Sequence, residues 1–220
     1  RHRVVARIAV IRALKFKGLH QVGPVRQLHR ADPNPTPVHF THRAPTPKET
    51  TAEVLAGLRP AFQKDGTVTA GNASGINDGA AAIVLATADA AEAAGLKPRA
   101  RLVAYAHAGV RPDVMGLGPI PAVRKLLERT GWALDQVEVI ESNEAFAAQA
   151  LAVSNELGFD SAKVNPNGGA IALGHPVGAT GAIITLKALS EMDRIKASRA
   201  IVTMCIGGGQ GIALALERMN

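Results

Sequence analysis

Two side chains in this sequence, His175 and Cys205, could move a proton in a reaction, and both sit among glycines. His175 lies between Gly174 and Pro176, with Gly178 just beyond. Small neighbours let a substrate approach closely, and the proline stiffens the turn. An imidazole placed there can take a proton from a thiol or donate a hydrogen bond to a developing oxyanion. Cys205 ends an apolar run and enters Gly207-Gly208-Gly209. Backbone N–H groups in such a loop are free to point at an oxyanion, and a thiolate beside them would be stabilised and could act as a base. Taken singly, each residue also has a plain structural reading. A His in a Gly/Pro turn can be structural, a strand-end Cys is often a buried small hydrophobe, and Asn143 before Glu144 is by default a helix N-cap.

Other chemistries fit less well. Gly169 to Gly174 has the GxxxxG spacing of a phosphate loop, but His175 stands where Lys is needed and Pro176 where Ser or Thr is needed. In Gly207-Gly208-Gly209-Gln210-Gly211, Ile212 breaks the dinucleotide-binding pattern. His107, His175 and Cys205 are the only strong metal ligands outside the N-terminal segment, and zinc wants three or four, so no metal is expected.

The elements that must position these residues are legible from Lys48 onward. Thr50, Thr51 and Glu53 read as a capping region before a helix over Ala52–Phe62. A strand is predicted at Gly66–Ala70, a buried strand at Ala80–Ala86, and a helix at Asp89–Ala94 stopped by Gly95. Arg101–Val110 alternates as a strand, and Pro121–Thr130 is an amphipathic helix closed by Gly131. Val137–Glu141 is a strand and Glu144–Leu157 a helix stopped by Gly158. A glycine-rich loop spans Asn165–Gly181, followed by a helix at Ala182–Met192. Strands Ala200–Cys205 and Gly211–Leu216 close the chain as an antiparallel hairpin. Strands alternating with helices argue for an α/β fold with a mixed sheet, whose strand-following loops carry the chemistry.

Residues 1–47 differ. They hold nine Lys/Arg against the single acid Asp32, five of the seven histidines, and Pro33, Pro35, Pro37, Pro45 and Pro47. The rest of the chain holds 16 basic and 17 acidic residues, so the net +7 belongs to the lead and the body needs no polyanionic partner. This lead is expected to be irregular, either a basic arm that contacts phosphates or a misassigned start of the reading frame. With 220 residues, 47% hydrophobic and 20% charged, the chain is expected to be soluble and globular. Aromatics are only 3%, which suits tight α/β layers packed by small aliphatic side chains. No apolar run is long enough for a transmembrane helix. Val4–Leu14 lacks a cleavage site, and one cysteine makes no disulfide, so a cytoplasmic location with no membrane contact is expected.

Four segments taken together resemble the signature blocks of the thiolase family, the acetyl-CoA acetyltransferases and 3-ketoacyl-CoA thiolases. They are Leu58–Phe62 with Thr67–Gly79; Asn143-Glu144-Ala145-Phe146-Ala147; Asn165-Pro166-Asn167-Gly168-Gly169-Ala170 through Gly174-His175-Pro176-Val177-Gly178-Ala179-Thr180-Gly181; and Cys205-Ile206-Gly207-Gly208-Gly209. The likeness runs from about Thr51 to the C-terminus. It implies the C-terminal half of a five-layer αβαβα sandwich. In that scheme residues 48–97 are the end of the loop domain and the last strand and helix of the N-terminal half, and residues 98–220 are the C-terminal domain.

The resemblance further implies an acetyl-CoA C-acyltransferase or C-acetyltransferase, with coenzyme A thioesters as substrates and no separate cofactor. Catalysis in the family is ping-pong through an acyl-cysteine. The resemblance gives His175 the activation of that cysteine and Cys205 the proton exchange with the α-carbon of acetyl-CoA. It gives Asn143 a water of one oxyanion hole and Gly207 a backbone N–H in the other. Phe62, Ala70, Ser74, Ala145 and Phe146 would line the pantetheine channel. The family's nucleophilic cysteine should lie upstream of Cys205, where this sequence has none. The chain alone is therefore expected to be inactive, and a homo-oligomer is expected only once the N-terminal half is supplied. A non-catalytic acyl-CoA-binding or assembly fragment is the alternative reading, and a nucleic-acid binder using the basic arm is a third.

Overall fold

The computed structural model describes residues 6–9 and 51–219. Its centre is a six-stranded sheet in the order β2-β1-β3-β6-β5-β4. The strands are β1 (Ala6–Ala9), β2 (Val84–Thr87), β3 (Ala100–Gly109), β4 (Val139–Ser142), β5 (Arg199–Ile206) and β6 (Gln210–Arg218). All neighbours are antiparallel except β4 and β5, which run parallel. The sheet is therefore mixed, and β5–β6 is the predicted hairpin.

The sheet is covered on both faces, which explains why its central strands read as continuous apolar runs. Alternation along β5 divides the core. Ala200 and Val202 pack with Ile184, Ala188, Leu189 and Met192 of α6 (Thr180–Ile195). Ile201 packs on the opposite face with Val123 and Leu126 of α3 (Pro119–Thr130). On β4 the same two-residue period sends Val139 toward α6 and Ile140 toward α3. Glu141 and Asn143, which continue the Val139 phase, therefore belong to the α6 side.

α3 carries prolines in its first turn and ends at Gly131 in the left-handed conformation, as the sequence predicts. Other elements differ from expectation. The helix expected over 52–62 is only α1 (Ala52–Ala56): Gly57 caps it, and Pro60 pairs with Thr69 in an isolated bridge where a strand was expected. The buried strand expected from Ala80 begins at Val84 and is followed by α2 (Ala88–Ala93).

The helix expected from Glu144 is α4 (Ala147–Leu157), because Phe146 is extended and serves as its N-cap residue. Asn143 is thus not a helix cap. The 165–181 loop contains a short helix, α5 (Ala170–Leu173). Within the lead expected to be irregular, Ala6–Ala9 pairs on both sides as β1; the rest of 1–47 lies outside the described residues.

Candidate active site

β4 and β5 end side by side because they run parallel, and their C-terminal ends deliver Asn143 and Cys205 to the same edge of the sheet. The first residue past β4 is fixed by its backbone: Asn143 N–H donates to the Thr203 carbonyl at 3.0 Å. Asn165 clamps the residue before it, its Oδ1 accepting from Ser142 N–H at 2.9 Å and its Nδ2 donating to the Ser142 carbonyl at 2.8 Å. One amide side chain thereby supplies both bonds that a neighbouring strand would give. Asn165 itself adopts φ 45°, which asparagine tolerates better than most residues.

Glu144 ties this corner to the glycine loop, accepting from Asn165 Nδ2 at 3.2 Å and from Ile171 N–H at 3.2 Å. Gly169 leaves room for it, since a Cβ there would overlap the Glu144 carboxyl group.

His175 stands beyond α5. Its N–H donates to the Gly75 carbonyl and to Asn77 Oδ1, both at 3.0 Å. Gly174, at φ +96°, makes that approach possible, because a Cβ would overlap Asn77 Oδ1. The imidazole is held at one nitrogen: Nδ1 lies 2.7 Å from Thr180 Oγ1, and the Thr180 hydroxyl donates to the Pro176 carbonyl at 2.9 Å. With its only proton used on Pro176, the hydroxyl can only accept from His175. Nδ1 therefore carries the ring proton, and Nε2 presents a lone pair. That lone pair lies 3.4 Å from Asn143 Nδ2. Partial burial lowers the His175 pKa, so the ring is neutral at pH 7.

Cys205 is 6% exposed, and burial pushes its thiol above the ordinary value, offset in part by its own backbone hydrogen bond. Desolvation outweighs the backbone donor, which favours the thiol over the thiolate. Among the described residues no hydrogen bond joins it to His175. Gly207 is exposed in the β5–β6 turn, and a Cβ there would meet nothing within 4 Å.

Of the residues named for a pantetheine channel, four lie together: Phe62, Ser74, Ala145 and Phe146. Ala73 bridges Phe146, Ser74 N–H donates to the Ala145 carbonyl at 3.0 Å, and the Phe62 and Phe146 rings meet edge to face at 6.1 Å. The same strap continues through Ile76, which bridges His175. Ala70 is exposed on the turn after the Pro60–Thr69 bridge.

Two family models match the sequence: the thiolase C-terminal domain over residues 96–218 and the thiolase N-terminal domain over residues 24–89. The chain belongs to the thiolase family.

Among curated relatives, the acetyl-CoA acetyltransferase of Allochromatium vinosum is 59% identical over 170 residues, 77% of this chain and 43% of the relative. Beta-ketothiolase BktB of Cupriavidus necator is 60% identical over 185 residues, 84% of this chain and 45% of the relative. Among solved structures, the Bacillus anthracis acetyl-CoA acetyltransferase matches at TM-score 0.76 and 53% identity, over 79% of this chain and 44% of that one. Human mitochondrial 3-ketoacyl-CoA thiolase in complex with CoA matches at TM-score 0.76 and 48% identity, over 78% and 44%. The chain thus spans less than half the length of the thiolases it matches. The N-terminal-domain match also begins inside the lead, at residue 24, well before the Thr51 start that the motifs gave.

Thr180, Asn165, Glu144 and Asn77 carry the geometry of this candidate site, yet sequence reasoning assigned them no role. All four lie inside the recognised motifs. Their functions depend on tertiary turns, and no periodicity announces those.

Proposed function

We propose that this chain supplies one side of a thiolase-type acyl-transfer site, cleaving 3-oxoacyl-CoA with CoA or condensing acetyl-CoA with acyl-CoA. The observation that carries the reading is the Asn143–His175 pair: a neutral imidazole, anchored at Nδ1 by Thr180, offers Nε2 beside an amide donor. In the cleaving direction Nε2 takes the proton of an attacking cysteine thiol. The thiolate adds to the 3-oxo carbon, and the bond between C2 and C3 breaks. The electron pair left on C2 takes the Cys205 proton, and acetyl-CoA departs. The incoming CoA thiol then gives its proton to the Cys205 thiolate and attacks the acyl-cysteine; the expelled cysteine thiolate takes back the proton held by His175, and acyl-CoA leaves. Passing through a thioester replaces one difficult step by two easier ones. Asn143, through a water, and the Gly207 N–H stabilise the oxyanions, each donor typically being worth ~10²–10³ in rate. Phe62, Ala70, Ser74, Ala145 and Phe146 receive the pantetheine arm.

Cys205 is the only cysteine in the sequence, so the attacking thiol comes from a segment outside these 220 residues. The chain alone is accordingly inactive, and a homo-oligomer forms only with that segment present. The same fact supports the second reading, an acyl-CoA-binding or assembly piece.

Thiolysis of acetoacetyl-CoA, followed by loss of the enolate absorbance, separates them. The chain alone should give no turnover, and co-expression with the upstream half of a thiolase should restore it in a manner lost on His175→Ala. CoA binding without restored turnover favours the second reading. Turnover by the chain alone overturns the assignment of an external nucleophile.

A further inference from the structure

Behind Asn143, on the α6 side of β4, lies a small chamber holding a buried Glu141–Lys187 pair that the reaction scheme does not use. Its walls include Glu141, Asn143, Gly169, Leu173, Thr180 and Lys187. Glu141 is 0% exposed, and Lys187 Nζ meets its Oε2 at 2.8 Å. Lys187 also donates to the Gly168 carbonyl, so one ammonium joins β4 to the glycine loop that leads to His175.

Two acceptors on this face have no protein partner: Glu141 Oε1 and Asn143 Oδ1, the latter on a residue 2% exposed. Leaving a buried acceptor unsatisfied is costly, and native proteins fill such sites with ordered water. The chamber has about 30 Å³ of room for the centre of a water-sized molecule, against roughly 10–15 Å³ needed for one water. Glu141 and Asn143 are two residues apart on one strand face, within reach of a single bridging molecule.

We propose that this chamber binds one structural water, which donates to Asn143 Oδ1 and bonds Glu141 Oε1, donating to it when the carboxyl is ionised and accepting from it when it holds its proton, making Glu141 and Lys187 positioning residues for the site. In both states the water keeps a donor for Asn143 Oδ1. The bridge fixes the Asn143 amide with its oxygen inward, and so turns Nδ2 toward His175 Nε2. A reversed amide would set Oδ1 against the Nε2 lone pair, a repulsion relieved by protonating the ring. The chain of effect runs from the Lys187–Glu141 pair through water and Asn143 to the protonation of His175. Glu144 and Glu191 are the other charges acting on Glu141.

The inference rests on Asn143 and His175 forming the site, but its test needs no turnover, so it can fail independently of the acyl-transfer reading. A crystal structure of the unmodified 220-residue chain at about 1.5 Å should show a peak within hydrogen-bond distance of both Glu141 Oε1 and Asn143 Oδ1. The double variant Glu141→Leu with Lys187→Met removes the bridge without stranding a buried charge. In it, the His175 titration followed by ¹⁵N NMR should move up by about half a unit to one unit, a three- to tenfold gain in protonated ring at fixed pH. No density peak in the unmodified chain overturns the proposal. So does an unchanged His175 midpoint in a double variant whose amide spectrum remains dispersed. If that variant does not fold, the unmodified crystal structure alone decides.

Discussion

Proton placement on His175 sets what the site can do, and a single hydroxyl governs it. Thr180 can accept from Nδ1 because its own proton goes to Pro176. Thr180→Val removes the acceptor and keeps the shape. The imidazole should then redistribute between tautomers, visible as Nδ1 and Nε2 ¹⁵N shifts drawing together, and Thr180→Ser should restore the original pattern. A Thr180→Val spectrum identical to the parent would mean that something else holds the ring. Burial also lowers the His175 pKa, so its titration should centre below the ordinary histidine value. Because the folded protein resists charging this ring, the His175 contribution destabilises the fold only as pH falls below that ordinary value.

His175 and Cys205 stand out as candidates from residue type and glycine neighbours alone. Thr180 does not, since a threonine five residues after a histidine has no meaning until the Pro176 turn brings them together. The default cap reading of Asn143 fails for a related reason. Its local sequence suits a helix start, but Asn165 holds the Ser142 backbone, Glu144 bonds Asn165, and Phe146 is extended, so the helix begins only at Ala147.

At the scale of elements, the site is a consequence of strand ends brought together by close backbone packing. The turn before α3 lies on the start of β6 so tightly that a Cβ on Gly118 would overlap the Gln210 backbone, and one on Gly211 would overlap Gly118. Gly211 is also the register partner of Cys205. Gly211→Ala should therefore cost about 3 kcal/mol or more in urea denaturation, since backbone on both sides must move. A loss under about 0.5 kcal/mol would show that the turn relaxes freely.

The end of α6 offers a contrast. Lys196 adopts φ 59°, a conformation that favours glycine. Lys196→Gly should raise stability by about 0.5–1 kcal/mol in the same assay by relieving left-handed strain. Strand and helix identities from β3 onward were legible because both core faces alternate cleanly along β4, β5 and β6. The region 52–83 was not, because its backbone is organised by the isolated bridges Pro60–Thr69, Ala73–Phe146 and Ile76–His175, whose partners lie from 9 to 99 residues away. Composition within such a segment carries no trace of its remote partner.

For the whole molecule, local patterns could not reveal that Ala6–Ala9 fills the sheet between β2 and β3, because the pairing is nonlocal and the surrounding lead is dominated by charge and proline. Global stability, in turn, should bear the mark of one buried group. Burial pushes the Glu141 carboxyl up to about 7 from its ordinary value of 4.5, and the Lys187 ammonium at 2.8 Å pulls the other way without prevailing. Between about pH 4.5 and about 7 the unfolded chain has released this proton while the folded chain still holds it. The folded state then binds more protons, so stability falls as pH rises through that window and levels off above it.

Glu191 acts with opposite sign. Arg194 and Asn167 hold its pKa below 4.5, so its contribution is complete above that value and lost as pH falls further. The two together place the maximum near mildly acid pH, with a decline toward neutrality of a few kcal/mol at most. Urea midpoints measured from pH 4 to 8 should trace this curve, and Glu141→Gln should flatten its neutral limb while leaving the acid limb in place. A neutral limb that persists in Glu141→Gln would assign the lost stability to another group and leave Glu141 ionised in the folded protein.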